Sequence, residues 1–347
     1  MMHKRTLKFF WLTMVLAFFV LVGTFGVGSG QGQQIPCSPT QPNTFCSFTF
    51  YDLPVLPGPV NAGPAWSPDG KQIAFAFQNA LVMYRLADGQ KRLLGMGAQA
   101  WSLAYSPDGQ WLATGNDAGT IKLWNASDGM VVRVLAGGTE RINSLDFSPD
   151  GKLLAAGTWR NGNHIKLWSI ADGSLVRTLD GQSGAVRSVN FSSDGKLLAS
   201  GSVDDPINLR LWSIPDGTVV RRFTDHQDRE VLSVKFSPDG QLLASGGYPD
   251  NKVKLWRVAD GSLVRTLQGA PGTIWSLDFS SDGQFVAAGS KGRTAVVWRV
   301  ADGSLVATLT GNQELDVGWL RFSPTDPKLL VTVSVWVDHI VHLWRLP

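Results

Sequence analysis

The chain has few of the residues that usually build catalytic or metal sites. Its 347 residues include only two cysteines and five histidines, and no His-Glu or Cys-His spacing suits a metal ion. It also lacks a Gly-x-Ser-x-Gly sequence, a phosphate-binding loop and a Gly-x-Gly-x-x-Gly sequence. The sequence therefore predicts a noncatalytic protein with no metal site and no cofactor.

Charge is scarce as well, since only 17% of the residues are Asp, Glu, Lys or Arg. Three of the 31 basic residues, Lys4, Arg5 and Lys8, belong to the first 30 residues, so the rest of the chain carries 28 basic and 28 acidic side chains. A chain so close to neutrality offers no electrostatic footprint for nucleic acid or for an anionic membrane surface. We therefore expect no nucleic-acid partner.

Helical periodicity is absent beyond the N-terminal segment, and a repeat takes its place. An aromatic residue precedes a Ser-Pro-Asp-Gly-like turn seven times, at steps of 39 to 45 residues. These aromatic residues are Trp66, Tyr105, Phe147, Phe191, Phe236, Phe279 and Phe322. A unit of this length cannot bury its apolar face alone, so the units must stack on one another.

Each unit carries a second aromatic marker at the end of an apolar run. The seven markers are Tyr84, Trp124, Trp168, Trp212, Trp256, Trp298 and Trp344. With Asp-Gly turns between the runs, one unit reads as four short strands, which we predict over Val186–Phe191, Leu197–Gly201, Ile207–Trp212 and Thr218–Phe223. Seven such units predict an all-β fold, a seven-bladed β-propeller with four-stranded antiparallel blades.

The repeat resembles that of a known family. The pattern V-x-S-V-x-F-S-P-D-G-x-L-L-A-S-G-S followed by I-x-L-W, nearly whole over Val186–Trp212 and Val231–Trp256, is similar to that of the WD-repeat propellers. The resemblance covers about 300 residues and implies the same seven-bladed fold. Two family features are missing, because no Trp-Asp dipeptide follows a third strand and no Gly-His pair precedes a first strand.

The resemblance also bears on how each blade is held together. In typical members a His, a Ser or Thr, an Asp and the Trp form a buried hydrogen-bonded set. Here only His226, Ser245, Asp250 and Trp256 stand at positions to assemble it. We expect the other blades to rely on apolar packing.

The closing strand of the ring is expected near the N-terminus. Only three residues follow Trp344, so the seventh unit has no fourth strand of its own. Phe48–Leu53 stands at the offset at which fourth strands precede first strands elsewhere, and we predict that it pairs into the last blade. Residues 48–347 are thus assigned to the propeller.

Residues 1–30 resemble a signal peptide or an N-terminal membrane anchor. Basic residues precede the uncharged stretch Phe9–Gly30, and small residues near its end are available for cleavage. The alternative is an uncleaved anchor, because the 19 residues Phe9–Val27 are just long enough to span a bilayer. Both interpretations place the propeller outside the cytoplasm, secreted or anchored to a membrane through this segment.

Residues 31–47, rich in Pro, Gln and Ser, read as a linker that contains both cysteines. Because export is expected, we predict a disulfide between Cys37 and Cys46. The alternative is a pair of free thiols.

Comparison of the repeats with one another identifies a candidate binding face. The turns after the first and third strands are nearly constant in sequence and, by hairpin alternation, lie on one face, here named the constant face. The connections after the second and fourth strands vary and lie on the opposite, variable face. Repeats that agree everywhere except on one face indicate that this face has the specific function.

The candidate partner-binding residues lie on the variable face. The position four before each repeat aromatic, near the channel mouth in the WD-repeat family, supplies Trp101, Asn143, Arg187, Leu232 and Trp275, with Trp319 beside the last such position. The connections after the second strands add Trp159, Arg160, Tyr248 and Trp336. Trp and Arg are favoured at binding hot spots. The structural alternative is that some of these aromatic residues fill gaps between blades.

The sequence therefore predicts an exported, noncatalytic WD-repeat scaffold that binds a protein partner through the variable face. One alternative is recognition of a carbohydrate or cell-wall fragment by the same face. Another is an enzyme with its site at the channel mouth, which would require clustered His and carboxylate residues. The nearest approach to such a cluster is Asp204, Asp205, Asp250 and Asp338.

Overall fold

The computed structural model describes residues 45–49, 60–77, 79–136, 138–159, 164–224, 230–249, 251–310, 316–334 and 340–347. These residues form 28 β-strands and no helix. Accordingly, no helix in this part of the chain is long and apolar enough to cross a membrane. The leader, residues 1–30, lies outside the described ranges, so the signal peptide or anchor remains a prediction.

The strands form seven four-stranded antiparallel sheets, each of them one blade. Strand β1 spans Phe45–Thr49 and precedes the first blade. Blade 1 consists of β2 (Val60–Trp66), β3 (Gln72–Phe77), β4 (Ala80–Arg85) and β5 (Lys91–Gly95). Blade 2 consists of β6 (Ala100–Tyr105), β7 (Trp111–Asn116), β8 (Thr120–Asn125) and β9 (Val131–Ala136). Blade 3 consists of β10 (Ile142–Phe147), β11 (Leu153–Thr158), β12 (Ile165–Ser169) and β13 (Leu175–Leu179).

The remaining blades repeat this plan. Blade 4 consists of β14 (Val186–Phe191), β15 (Leu197–Ser202), β16 (Leu209–Ser213) and β17 (Val219–Phe223). Blade 5 consists of β18 (Glu230–Phe236), β19 (Leu242–Tyr248), β20 (Val253–Arg257) and β21 (Leu263–Leu267). Blade 6 consists of β22 (Ile274–Phe279), β23 (Phe285–Ser290), β24 (Thr294–Arg299) and β25 (Leu305–Leu309). Blade 7 consists of β26 (Val317–Phe322), β27 (Leu329–Ser334), β28 (Ile340–Arg345) and β1.

The first strands of neighbouring blades pack against one another around the whole ring, from β2 to β26 and back to β2. They therefore surround the central channel, and the fourth strands lie outermost, where Val132, Val176 and Val220 are about half exposed. The predicted all-β, seven-bladed propeller is confirmed.

The strand boundaries predicted for blade 4 agree closely with the structure, with one instructive difference. The first strand matches at both ends, but the third begins at Leu209 rather than at Ile207. The amide of Ile207 donates a 2.8 Å hydrogen bond to the carboxylate of Asp205, which holds this residue in the preceding loop.

Strand β1 supplies the fourth strand of blade 7. It pairs with β28 in antiparallel register, with Phe45 opposite Trp344 and Thr49 opposite Ile340. The strand predicted over Phe48–Leu53 thus starts three residues too late, and the part of it after Thr49 lies outside the described residues. That this pairing stabilises the closed ring is a prediction.

The predicted disulfide joins two cysteines whose side chains lie outside the described residues. Cys46 lies in β1, opposite Leu343, and not in an irregular linker. Its side chain and the whole of Cys37 fall outside the described residues. The pairing of the two cysteines therefore stays a prediction.

The recurring Ser-x-Asp-Gly turns are built from side-chain hydrogen bonds. In blade 4, Ser192 Oγ donates to Asp194 at 2.6 Å and accepts the amide of Leu197 at 2.9 Å, while Gly195 adopts a φ of +69°. The bond from Ser192 holds the pKa of Asp194 below its usual value. The same Ser-to-Asp bond recurs in the first six blades, which confirms that these carboxylates are turn residues.

Hydrogen bonding within the blades is more extensive than we expected from the sequence. The blade tryptophan donates its indole N–H to a second-strand hydroxyl in four blades, through the pairs Trp124–Thr114, Trp212–Ser200, Trp256–Ser245 and Trp344–Thr332 at 2.7 to 2.9 Å. The expectation that the other blades rely on apolar packing was therefore wrong for the blades of Trp124, Trp212 and Trp344, and the complete four-residue set of the Trp256 blade stays a prediction. His226 and Asp250, the other two members, lie outside the described residues. Where the second strand has Ala156, the indole N–H of Trp168 has no partner among the described residues.

An arginine in the fourth strand ties each of five blades to the next. Arg221 donates to the carbonyl oxygens of Ala259 at 3.0 Å and Asp260 at 2.6 Å, in the turn of the following blade. The following residue, Gly261, has a φ of +76°, and a Cβ there would overlap the Arg221 side chain. The equivalent arginines are Arg92, Arg133, Arg177 and Arg265.

Blade 7 contains a buried histidine that makes its stability depend on pH. His342 in β28 is 5% exposed, and burial lowers its pKa from 6.5 to about 4. The imidazole of His342 therefore takes up a proton at a higher pH in the unfolded chain than in the folded protein. Above pH 6.5 it is neutral in both states and does not reduce the free energy of unfolding. As the pH falls towards 4, protonation of the unfolded chain lowers that free energy.

We expect the free energy of unfolding to fall by up to about 3 kcal/mol over this range because of His342. Urea unfolding at a series of pH values measures the slope. In His342→Gln this part of the slope should disappear, whatever the absolute stability of the variant. An unchanged slope would show that His342 does not titrate in this way.

Candidate binding site at the channel mouth

The candidate residues on the first strands share one backbone feature. In blades 2 to 6 the pairing of the first strand with the second skips one residue, and that residue is Trp101, Asn143, Arg187, Leu232 and Trp275 in turn. Such a residue is a β-bulge, which leaves the ladder and changes the direction of its side chain. A position that varies between repeats is therefore one that the backbone removes from regular pairing, at the channel end next to the variable face.

Two of these bulges join a row of alternating tryptophan and arginine side chains. The guanidinium carbon of Arg141 lies 4.3 Å from the ring centre of Trp101 and 4.5 Å from that of Trp159. The guanidinium carbon of Arg187 lies 4.9 Å from the ring of Trp159. The backbone supports the row, because the amide of Trp159 donates to the carbonyl of Arg141 at 2.9 Å. Cation–π stacking of this kind holds the guanidinium groups in place.

An apolar cluster continues the row around the mouth. Leu232 is buried with Ala185 and Val203, and the half-buried rings of Trp159 and Trp275 pack against them. This cluster is separate from the cores between the blades. The structure thus brings Trp101, Arg187, Leu232, Trp275 and Trp159 to one continuous surface.

The electrostatics of the mouth are dominated by the two arginines. Burial, together with the nearby positive charge of Arg141, lowers the pKa of Arg187 to about 10, and Glu230 opposes the shift. Arg187 therefore remains charged at neutral pH. The indole N–H groups of Trp101 and Trp275 are buried and have no hydrogen-bond acceptor among the described residues.

A neighbouring loop of blade 4 is held by a buried ion pair. Arg210 binds Asp205 through both carboxylate oxygens at 2.9 Å, and the two side chains are 6% and 1% exposed. The amide of Ser183 donates to the same carboxylate at 2.7 Å. Burial opposes ionisation of Asp205, but these hydrogen bonds outweigh it and lower its pKa.

The carboxylates considered for an enzyme do not form a site among the described residues. Asp205 is committed to structural bonds, and Asp204 beside it is exposed in a left-handed turn with a φ of 59°. Asp250 and Asp338 lie outside the described residues. In the part of the chain that the structure covers, no group of three His, Cys, Asp or Glu side chains is placed to hold a metal ion.

The other predicted site residues are not among the side chains that form the row and the apolar cluster. The amide of Asn143 donates to the carbonyl of Val186 at 2.9 Å and so links blades 3 and 4. The ring of Trp319 packs against Gly63 and the core between blades 7 and 1. Tyr248 is 51% exposed at the end of β19. Arg160 and Trp336 lie outside the described residues, and the assignment of the binding residues remains a prediction.

Sequence reasoning missed Arg141, which stands two residues before the bulge of blade 3. It also missed polar residues at the other end of the channel, beside the constant face. There the position before each repeat aromatic is polar in five units, and these residues are Asp146, Asn190, Lys235, Asp278 and Arg321. Comparison of the repeats could have found these residues, because the position before the repeat aromatic also varies from unit to unit.

These polar residues link the blades within the channel. The carboxylate of Asp146 accepts the amide of Phe191 at 2.7 Å, and Asn190 accepts that of Phe236 at 2.8 Å. Asp278 accepts the amide of Phe322 at 2.8 Å in the same manner. A cavity of about 260 Å³ opens beside them, with Asp146, Asn190 and Lys235 in its lining. These hydrogen bonds connect neighbouring blades, and they indicate a structural role for the side chains of Asp146, Asn190 and Asp278.

Fold and site together define a β-propeller with a candidate interaction surface at one end of its channel. The family model described as WD domain, G-beta repeat, matches residues 92–125, 129–169, 173–205, 217–257 and 261–299. These matches cover more than half of the chain, and the protein belongs to the WD40-repeat family. The resemblance inferred from the sequence is thereby confirmed.

Individual relatives match shorter stretches. An uncharacterized WD repeat-containing protein of Synechocystis sp. is 33% identical over 105 residues, which are 28% of this chain and 30% of that protein. Meiotic recombination protein rec14 of Schizosaccharomyces pombe is 30% identical over 93 residues, 26% of this chain and 31% of that protein. Actin-interacting protein 1-2 of Arabidopsis thaliana is 41% identical over 56 residues, 15% of this chain and 9% of that protein. The matched stretches thus span about a third or less of these curated relatives.

Proposed function

We propose that the protein is an exported, noncatalytic scaffold that binds a protein partner through the variable face. The observation that carries this proposal is the row of stacked tryptophan and arginine side chains at the channel mouth. Trp and Arg are the residues most enriched in interface hot spots. Other blades of the same fold do without such residues at the equivalent positions, so the fold itself does not require them.

Family membership supports a binding role. WD-repeat propellers generally act as noncatalytic scaffolds for protein partners, and one relative is named an actin-interacting protein. The bonds that Asp205 makes to Arg210 and to backbone amides leave it poorly suited to general acid or base chemistry.

The stacking geometry favours protein over carbohydrate as the partner. Sugars are recognised by aromatic rings with an open face, whereas Arg141 lies over the rings of both Trp101 and Trp159. A guanidinium held in this way presents its N–H donors to polar groups of a partner.

Export is proposed from the leader alone. Its basic start, its apolar stretch Phe9–Gly30 and its small residues near the end are typical of a secretory signal. An uncleaved leader would keep the same propeller outside the cytoplasm but attached to the membrane.

Arg187→Ala and Trp275→Ala are expected to abolish capture of the protein partner from the native host. Trp275 packs on the apolar cluster at the mouth and Arg187 stacks on Trp159, both outside the cores between blades, so melting should change much less than capture. Lys196→Ala and Gln241→Ala, exposed on the constant face, are the matched controls and should alter neither property. Pull-down with the exported protein and thermal melting are measured on the same four variants.

The outcomes separate the alternatives. Unaltered capture in both Arg187→Ala and Trp275→Ala would exclude this site. If Trp275 is a packing residue only, its truncation should instead cost about 3 to 5 kcal/mol of stability. Retention of a polysaccharide without any protein partner would favour the carbohydrate alternative.

A further inference from the structure

The cavity at the constant-face end of the channel is bordered by a carboxylate that is only half used. The cavity has a volume of about 260 Å³, and Asp146 lines it. Through one oxygen, Oδ2, Asp146 accepts both the side-chain amide of Asn190 at 2.9 Å and the backbone amide of Phe191 at 2.7 Å. Its other oxygen, Oδ1, accepts no hydrogen bond from a described residue. Asp146 can therefore accept a donor from a ligand without giving up its bonds to blade 4.

Lys235 brings an ammonium group to the same cavity. Its Nζ lies 3.7 Å from Oδ1 of Asp278, which is an ion pair but too long for a hydrogen bond, and the Lys235 side chain is 28% exposed. An ammonium group has three N–H donors and no acceptor. Lys235 can therefore donate to an anionic group of a ligand while it stays beside Asp278.

The charges at this end of the channel favour a ligand that carries both signs. Among the five polar residues that precede the repeat aromatics, two carboxylates, Asp146 and Asp278, are balanced by Lys235 and Arg321. A simple anion would meet the charge of Asp146, and a simple cation would meet that of Lys235. Burial raises the pKa of Asp146, and the positive charges of Lys235 and Arg321 oppose this shift. A ligand ammonium group at Asp146 would oppose it further and so stabilise the carboxylate.

Most of the remaining lining is apolar and leaves room for a ligand side chain. It consists of repeat phenylalanines and turn prolines, with turn serines between them. The apolar members are Phe147, Phe191, Phe236, Phe279, Pro149 and Pro238. A cavity of about 150 Å³ is large enough for a benzene ring, so this larger one has room for an aliphatic side chain together with two small charged groups.

We propose that this cavity binds a free α-amino acid with an apolar side chain. The ammonium group of the amino acid donates to Asp146 Oδ1, and its carboxylate accepts from Lys235. Charge-assisted hydrogen bonds of this kind are stronger than bonds between neutral groups. The cavity lies at the opposite end of the channel from the variable face, so this inference goes beyond the proposed function and does not depend on it.

Titration of the full chain with L-leucine, L-leucinamide and 4-methylpentanoate tests the inference. The three probes share one side chain, but leucinamide lacks the carboxylate and 4-methylpentanoate lacks the ammonium group. The titrations are run at about pH 6.5, where an α-amino group is protonated. The amide signal of Phe191, which donates to Asp146, reports binding by nuclear magnetic resonance of the ¹⁵N-labelled protein. We expect a saturable shift with leucine and dissociation constants about tenfold higher for the other two probes, the effect of one lost charge-assisted hydrogen bond.

Two variants remove the charged groups one at a time. Asp146→Asn keeps an oxygen that can accept the amide of Phe191, and Lys235→Met keeps most of the aliphatic stem. In Asp146→Asn, leucine should bind no more tightly than 4-methylpentanoate. In Lys235→Met, leucine should bind no more tightly than leucinamide. Lys196→Met is the matched control, because Lys196 is exposed on the constant face and does not line the cavity, and it should keep the full preference for leucine.

Equal affinities of the unaltered protein for the three probes, or no saturable shift with leucine, would overturn the amino-acid site. A Lys235→Met protein that still prefers leucine to leucinamide would also contradict it, whatever the stability of that variant. A shift of the Phe191 signal with glycerol or glucose but not with leucine would assign the cavity to neutral polyols and would refute this proposal as well.

Discussion

A chain that begins at Gly58 is expected to unfold at a much lower temperature than one that begins at Asn43, and to aggregate. The shorter chain lacks β1, so β28 becomes an unpaired edge of blade 7, and the strand that ties this blade to the start of the chain is lost. Exposed edges of this kind pair with other chains. The five cross-strand pairs from Phe45 to Thr49 are lost, each of them contributing about 0.2 to 1 kcal/mol.

An intermediate truncation sharpens this experiment. A chain that begins at Ser47 keeps three of the five pairs, those of Ser47, Phe48 and Thr49 with β28. It should melt between the other two. A synthetic peptide of residues 43–54, added to the shortest chain, should restore part of the stability by strand addition. Equal melting temperatures for all three chains would mean that β1 does not latch the ring.

Asp205→Asn is expected to destabilise the protein by about 3 to 5 kcal/mol, because it leaves the buried guanidinium of Arg210 without a counter-charge. The midpoint of urea unfolding measures the loss. Asp204→Asn is the matched control, since this neighbour is exposed and Asn tolerates its positive φ. We expect no change in that variant.

A double variant separates charge from packing. Asp205→Asn combined with Arg210→Met leaves no buried charge and should recover much of the stability lost in Asp205→Asn. The pKa of Asp205 lies below its ordinary 3.8, so the pair stabilises the fold fully above that pH and loses its effect only as the pH falls further. Matching midpoints for Asp205→Asn and the unaltered protein would contradict this account of the loop.

Much of the candidate site could be read from the repeats. The position four before each repeat aromatic is the β-bulge in blades 2 to 6, and four of its residues lie at the mouth, namely Trp101, Arg187, Leu232 and Trp275. Trp319 and Asn143 occupy similar places in the sequence but pack against or bond to a neighbouring blade. Whether a residue faces a neighbouring blade or the mouth depends on the next repeat, which the spacing within one repeat does not encode.

Local sequence by itself determined the fold of this protein. Turns that need Asp and Gly, apolar runs of strand length and seven units of nearly equal size admit few arrangements other than a ring of four-stranded blades. These are short-range properties, written in residues that are neighbours along the chain.

Only the tertiary structure decided which distant residues meet. Arg141 contacts both Trp101 and Trp159 because the first strands of blades 2 and 3 are adjacent and Trp159 directly follows the second strand of blade 3. Phe45 meets Trp344, almost 300 residues away, because closing a ring brings the ends of the chain together. Such contacts depend on where whole blades sit, and no single repeat carries that information.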